Sequence, residues 1–330
     1  MAHEKAAADM SGTDAAQGLS PGQHPSESPK PRRGATDSPE RVEVIAIFGP
    51  TASGKTAVAE AAADALGTEV VSADAMQVYR GLPILTNQPE RLTRLVGIRP
   101  LADEMSVGAF AALAHQAIDD VVEQRGAAVV AGGTGLYLRA ALADLGVPPR
   151  ADPGLRARIE EEVDRDRAGA HERLAGLDPT TAANVHPNDR QRLVRALELA
   201  EAGETLTPDV DRLWDSATRR PTRVFGLEVE SDELERRIRV RAEEMFARGV
   251  VDEVRAALEQ PVSRTAEKTL GLREIAELEP AEALERIIVR TRRYAAYQRK
   301  WMRRIPGIVL VDAARDPASV AADVVVRVRG

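Results

Sequence analysis

Eight residues, Gly49-Pro50-Thr51-Ala52-Ser53-Gly54-Lys55-Thr56, constrain the fold of this chain more than any other feature. They follow an almost unbroken apolar, β-branched run, VEVIAIF at Val42 to Phe48, and open an alanine-rich stretch from Thr56 to Leu66. The run suits a strand buried on both faces of a parallel sheet, and the stretch after it suits a helix. At G-x-x-x-x-G-K-T spacing, successive backbone amides converge on an anion and the helix adds its positive end. Lys55 supplies a mobile ammonium, and the Thr56 hydroxyl is a ligand for magnesium. Strand, glycine-rich loop and helix in that order predict a phosphate cradle. They leave open whether the phosphate is hydrolysed, transferred or released.

The same alternation continues. A second strand over Glu69 to Ser72 ends just before Asp74, a helix is expected over about Val107 to Gln124, and a third strand over Ala127 to Ala131 ends at Gly132-Gly133-Thr134. Alternating strand and helix predicts an α/β fold, a P-loop NTPase-like doubly wound parallel sheet whose ligands collect at the carboxyl ends of the strands. Gly49, Asp74 and Thr134 all fall at such ends. From Asp152 the texture becomes charged and helical in period, with no strand candidate until Arg223 to Val229, and Gly307 to Asp312 reads as a last strand. The expected organisation is therefore a tail at 1–40, the first part of the core at 41–150, an inserted helical domain at 151–213, and the remainder of the core with C-terminal helices at 214–330.

Bulk properties exclude more than they assign. The chain has 330 residues, 45 Lys and Arg against 52 Asp and Glu, a formal net charge of -7, and no cysteine. Disulfides, thiolate metal sites and a cysteine nucleophile are excluded. No global basic field advertises nucleic acid, so any such site must be a local patch. The first forty residues mix Pro, Ser, Gly and both charges, lack an apolar core segment, and resemble neither a secretion signal nor a transit peptide. Without a run of about 18 apolar residues, no membrane span is expected. A soluble, cytoplasmic monomer is the expectation.

Several stretches carry candidate chemistry. Asp74, in SADAMQVYRG, sits past a strand end beside the cradle, where a carboxylate can hold magnesium through water or take a proton from a nucleophile; its spacing does not choose between them. Gln77 and Tyr79 offer a bidentate amide and an aromatic face suited to an adenine edge. In GGTGLYLR, Thr134 and Arg139 can reach the same crevice, with Arg139 as a guanidinium for phosphate. The cluster HPNDRQR, His186 to Arg192, and Arg195 put Gln191 and Arg195 on one helix face, a grip on RNA or a capped, solvated basic surface. RTRRYAAYQRKWMRR, Arg290 to Arg304, is the most basic run, and its Tyr294, Tyr297 and Trp301 recur three and four apart. That spacing describes a buried aromatic stripe beneath basic residues facing nucleic acid.

These motifs, in this order, resemble the tRNA dimethylallyltransferases of the IPP transferase family. The resemblance rests on GPTASGKT, SADAMQVYRG, GGTGLYLRA, the HPND-QR element, LGLRE at Leu270 to Glu274, and TRRYAAYQRKWMRR. It implies transfer of a dimethylallyl group from dimethylallyl diphosphate to N6 of the adenosine 3′ of the anticodon, so that the cradled phosphate leaves. By resemblance Asp74, Thr134, Arg139 and Lys55 are catalytic, Gly49 to Thr56 bind the donor diphosphate, and Thr56 with Mg2+ meets its charge. The tRNA is met by Asp74, Ala75, Met76, Gln77 and Thr134, by Gln191, Arg192, Leu193, Val194 and Arg195 of the insertion, and by Arg273 and Gln298. The chain departs from the family pattern in having Ala75 where serine is common, PILTNQP at Pro83 to Pro89 where a run like DIGTAKP is usual, and GLR at Gly271 to Arg273 in place of a GYR-type element. Two rivals remain at this point: a small-molecule P-loop kinase with the insertion as its lid, and a noncatalytic RNA-binding protein using the basic C-terminal helix.

Overall fold

A computed structural model describes residues 41–146, 152–206, 213 and 215–329. The expected tail and the chain at both ends of the insertion, 147–151, 207–212 and 214, lie outside the described residues. The core opens with β1 (Val44–Phe48), α1 (Lys55–Leu66), β2 (Val70–Ser72), α2 (Val107–Arg125), β3 (Ala128–Gly132) and α3 (Gly135–Leu142). Four helices follow: α4 (Pro153–Arg165), α5 (Arg167–Leu177), α6 (Pro179–Asn184) and α7 (Arg190–Glu201). The chain then returns through β4 (Thr222–Glu228), α8 (Ser231–Ala247), α9 (Val250–Leu258), α10 (Leu272–Glu277), α11 (Pro280–Met302), β5 (Val309–Asp312) and α12 (Pro317–Arg329).

The five strands are parallel, in the order β2-β3-β1-β4-β5. β1 is central, with Val44 opposite Ala128 on one side and Thr222 on the other. Its alternation shows why the apolar run is unbroken. Val44, Ala46 and Phe48 join a core with residues of α2, α3, α9 and α11, while Ile45 and Ile47 join another with α1, α8 and α12. Because β3 lies on one side of β1 and β4 on the other, the sheet changes winding direction at β1, and the crevice at a switch point opens above its carboxyl end. The P-loop leaves from there.

The insertion is helical, as its period predicts, and each of its four helices begins on an aspartate. Asp152, Asp166, Asp178 and Asp189 accept from backbone amides of the first turn, two of them with proline at the first helical position. Ile159, Val163, Leu174, Leu193 and Leu197 form a core of its own. The described residues from Arg41 onward nonetheless group as one compact unit, with Arg264 of the core ion-paired to Glu160 of α4 at 2.6 Å.

Candidate active site

The glycine-rich loop joins β1 to α1, the context its spacing predicts. Gly54, at φ 87°, is the N-cap of α1 and contributes no side-chain cap, so the first-turn amides of the helix are left for an anion. Ser53 is 1% exposed, and its Oγ is buried without a hydrogen-bond partner. Lys55 donates from Nζ to Pro50 O at 2.8 Å. Burial pulls the Lys55 ammonium down to about 8, with the Asp74 carboxylate opposing that and Arg241 adding to it. Lys55, Thr56, Ser72 and Asp74 line one small recess.

Asp74 accepts at Oδ1 from Met76 N at 2.9 Å, an Asx turn that fixes the carboxylate at the end of β2. The turn and the functional position coincide. Thr134 begins α3, and its Oγ1 pairs with the Tyr294 hydroxyl at 2.9 Å. The Tyr294 phenol is pushed up to about 12, first by burial and then by Asp74. Behind this pair, a Cβ at Gly135 would come within 2.1 Å of the Trp301 ring, so glycine there lets α11 pack directly on the start of α3.

Two further residues border the site. Arg241 of α8 donates to Thr51 Oγ1 at 2.8 Å from 190 residues along the chain; burial holds its guanidinium below the ordinary value, and Asp74 opposes that. Tyr294, expected in the core, lines the crevice. No local signal marks Arg241, one arginine among several on a charged helix. Tyr294 is marked only by its place in the basic run.

Other expected residues have different partners. Arg139, expected at the phosphate, is 2% exposed and donates to Leu213 O at 2.9 Å and Asp215 O at 2.7 Å, tying α3 to the chain returning from the insertion. Its pKa is lowered by burial, with Asp215 opposing. Gln298, expected at the tRNA, is 3% exposed; it accepts from Thr51 N at 2.8 Å and donates to Gly133 O at 2.7 Å, bridging the P-loop to the turn after β3. Gln77 does not present its amide to a base: Nε2 donates to Asn87 O at 2.9 Å and Oε1 accepts from Ser72 Oγ at 2.9 Å. Tyr79 is fully buried, with its hydroxyl on Thr265 Oγ1 at 2.6 Å. On α7, Leu193 turns into the insertion core, because a helix that exposes Gln191 and Arg192 must bury the residues on its opposite face, while Val194 joins that core and also lines a pocket beside Gln191 and Arg195. The buried aromatic stripe is also only partly realised, since Tyr297 is 53% exposed.

The remaining residues converge. Thr51, Asp74, Thr134, Arg241 and Tyr294 border a crevice of about 860 Å3, whose other walls include Ala75, Met76, Met105, Leu136, Met245 and Ile287. Gln191 of α7 reaches its rim. An adjoining pocket of about 580 Å3 shares Gln191, Lys268, Thr269 and Arg290 with the crevice; Arg156, Arg190, Arg195, Arg264 and Arg273 line it too, with only Glu104 and Glu267 as acids. Arg195 is held by Glu198 at 3.0 Å, whereas Arg192 stands outside with Asp189 at 3.8 Å. A mainly apolar chamber with a cationic phosphate end, a carboxylate beside it and a basic antechamber suits transfer of an apolar group from a phosphate ester to a polyanionic acceptor.

Comparison with known proteins agrees with this geometry. A family model described as IPP transferase matches residues 77–305. A tRNA dimethylallyltransferase of Anaeromyxobacter sp. (strain Fw109-5) is 42% identical over 278 residues, covering 80% of this chain and 93% of the relative. The crystal structure of a full-length tRNA isopentenylpyrophosphate transferase from Bacillus halodurans superposes with a TM-score of 0.62 at 28% identity, covering 88% of this chain and 97% of that one. A eukaryotic dimethylallyltransferase captured acting on tRNA gives a TM-score of 0.67 at 26% identity, covering 82% and 74%. The order of motifs, the parallel sheet with its helical insertion and these likenesses have one reading: the chain belongs to the IPP transferase family.

Proposed function

We propose that this enzyme transfers a dimethylallyl group from dimethylallyl diphosphate to N6 of the adenosine 3′ of the anticodon in tRNA, releasing diphosphate. The observation that carries the proposal is the meeting of Asp74, Thr51 and Arg241 in an apolar crevice that adjoins a basic pocket edged by the insertion, with Lys55 sharing a small recess with Asp74. The N6 lone pair is delocalised into the purine and is a weak nucleophile. As it attacks the allylic carbon, the carbon–oxygen bond to the diphosphate breaks, and Asp74 takes the N6 proton. The P-loop amides, Lys55 and Arg241 meet the charge gathering on the departing diphosphate. The Thr134–Tyr294 pair stands on the acceptor side. Unstacking the adenosine costs a few kcal/mol and favours a loop over a duplex.

Magnesium fits the donors present. No group of three His, Cys, Asp or Glu side chains suited to a metal occurs among the described residues; the recess offers the Thr56 hydroxyl and the Asp74 carboxylate. That sparse set matches an ion that draws its other ligands from phosphate and water. Thr56 would hold it, with Asp74 through water, and the ion would neutralise the leaving group. Among the described residues no helix is long and apolar enough to cross a membrane. A tRNA acceptor supports a cytoplasmic location, and a monomer is the proposed working form, since the described lining of the crevice comes from one chain.

The test is transfer of labelled dimethylallyl diphosphate to unmodified tRNA bearing adenosine beside the anticodon, with magnesium and no nucleoside triphosphate, read by mass of the digested nucleosides. Prenylated adenosine is expected. Absence of product from folded, tRNA-bound enzyme overturns the proposal.

A further inference from the structure

The segment Leu82 to Gln88 connects the Asp74-bearing turn to the rest of the core without belonging to any strand or helix. Thr86 N donates to Leu82 O, Asn87 N to Ile84 O and Gln88 N to Pro83 O, so the segment coils into successive turns. Its carbonyl end is pinned by Gln77, which lies close after Asp74 and donates to Asn87 O. Its amide end is pinned by a charge. Glu253 of α9 accepts from Ile84 N at 3.1 Å and 2.7 Å and from Leu85 N at 3.0 Å. A carboxylate on two successive free amides acts as a cap supplied from a distance, and charge-assisted bonds of this kind are among the stronger ones. Burial raises the Glu253 pKa, while the two amides and Arg248 oppose the shift; the bonds are made in a partly desolvated place.

What the cap holds is a wall of the crevice. Leu85 and Thr86 line it beside Asp74, Ala75 and Met76. Leu85 stands at the third position of PILTNQP and puts a branched side chain there. It is 6% exposed, and a Cβ added to Gly271 would lie 2.9 Å from its Cδ1 and 3.2 Å from Ile287 Cδ1. Leu85 thus closes the space between the Asp74 side of the crevice and the Gly271–Ile287 side. Its reach across that space depends on where its own backbone amide is held.

We infer that Glu253 is a positioning residue for the transfer reaction, and that Leu85 is the side chain it positions to fit the acceptor adenosine against Asp74. The inference rests on the transfer activity proposed above. Glu253 touches neither substrate: it sets the 82–88 turn, the turn sets Leu85, and Leu85 limits the orientations open to a base within reach of Asp74. Loss of the cap should therefore affect turnover and acceptor use far more than the donor.

The experiment compares wild type, Glu253→Gln, Glu253→Ala and Leu85→Ala, measuring kcat and the KM of each substrate separately, with melting curves and tRNA binding by filter retention. Product formation by wild type in the same assay separates the two ideas, since its absence removes the transfer reading itself. For Glu253→Ala we expect kcat to fall about 30-fold and the tRNA KM to rise, with the donor KM within about threefold of wild type, a misplacement effect of modest size. Glu253→Gln keeps one carbonyl acceptor and should recover part of the loss, and Leu85→Ala should reproduce the rise in tRNA KM. If Glu253→Ala does not fold, Glu253→Gln decides: a several-fold lower kcat at wild-type Tm supports the inference. Wild-type kinetics in every folded Glu253 variant, or a loss confined to donor KM, overturns it.

Discussion

Asp74 stands close enough to Lys55 to act on its pKa, yet the mechanism asks opposite things of the two, one to accept a proton and the other to keep it. Replacing Asp74 with Ala should slow single-turnover transfer by about 10²–10⁴-fold, the usual worth of a general base, while leaving tRNA retention on a filter nearly unchanged. Lys55 responds to pH. With its pKa at about 8, the empty site loses the ammonium as pH rises through that value, whereas bound diphosphate favours the charged form. Donor binding above pH 8 should therefore take up a proton, measurable as a buffer-dependent heat, and the donor KM should climb from there upward. Lys55→Arg should keep a flat profile over the same range. The sign also holds for folding: a lowered lysine pKa is a penalty present below about 8 that is relieved as pH rises toward the unfolded value of 10.5. A neutral Lys55→Met variant should accordingly melt higher than wild type at neutral pH while losing the donor. Arg139 belongs to another class. Its Ala variant should lose about 1–3 kcal/mol of stability by removing charge-assisted hydrogen bonds to the carbonyls of Leu213 and Asp215, seen in urea titration, whereas Arg241→Ala should leave stability close to wild type and slow release of diphosphate.

Among the elements, legibility in the sequence tracks the range of the signal. β1, the P-loop and α1 are specified by contiguous residues, and strand ends fall within a few positions of expectation. The Arg241–Thr51 contact spans 190 residues, and nothing local on α8 distinguishes an arginine aimed at a crevice from one paired on the surface. Gln77 and Gln298 are legible as important but not as bonded; a glutamine in a motif reads as a ligand until both ends of its amide are seen to be occupied. The period of α11 suggests that its aromatics are buried, but three-and-four spacing defines a stripe and not its depth. Tyr297 lies outside it, contacting Trp301 edge-on with ring centroids 6.3 Å apart. Exposed aromatics among Arg293 and Lys300 suit a base stacked on a charged strand. Tyr297→Ala should weaken tRNA binding by about 5–150-fold, following the 1–3 kcal/mol worth of one stacked base, and Arg293→Ala should reduce the slope of log affinity against log salt by about 1.

For the whole molecule, a protein of net charge -7 gathers several arginines into one pocket shared between core and insertion, and Lys55 and Arg241 at the head of the sheet. α11 belongs to both regions. Its 23 residues make a rod about 35 Å long at 1.5 Å per residue. Arg290 stands at the basic pocket, and two turns further on Gln298 bridges the amide of Thr51 to the carbonyl of Gly133. The hydrogen bond that holds the P-loop amide of Thr51 is thus carried by the same helix that borders the basic pocket. Any tilt of that helix felt at one end is felt at the other, and equilibrium thermodynamics makes the effect reciprocal: the factor by which a bound anticodon arm changes affinity for the diphosphate must equal the factor by which the diphosphate changes affinity for the arm. Gln298→Ala should bring that factor toward one, measured as donor affinity with and without the anticodon arm.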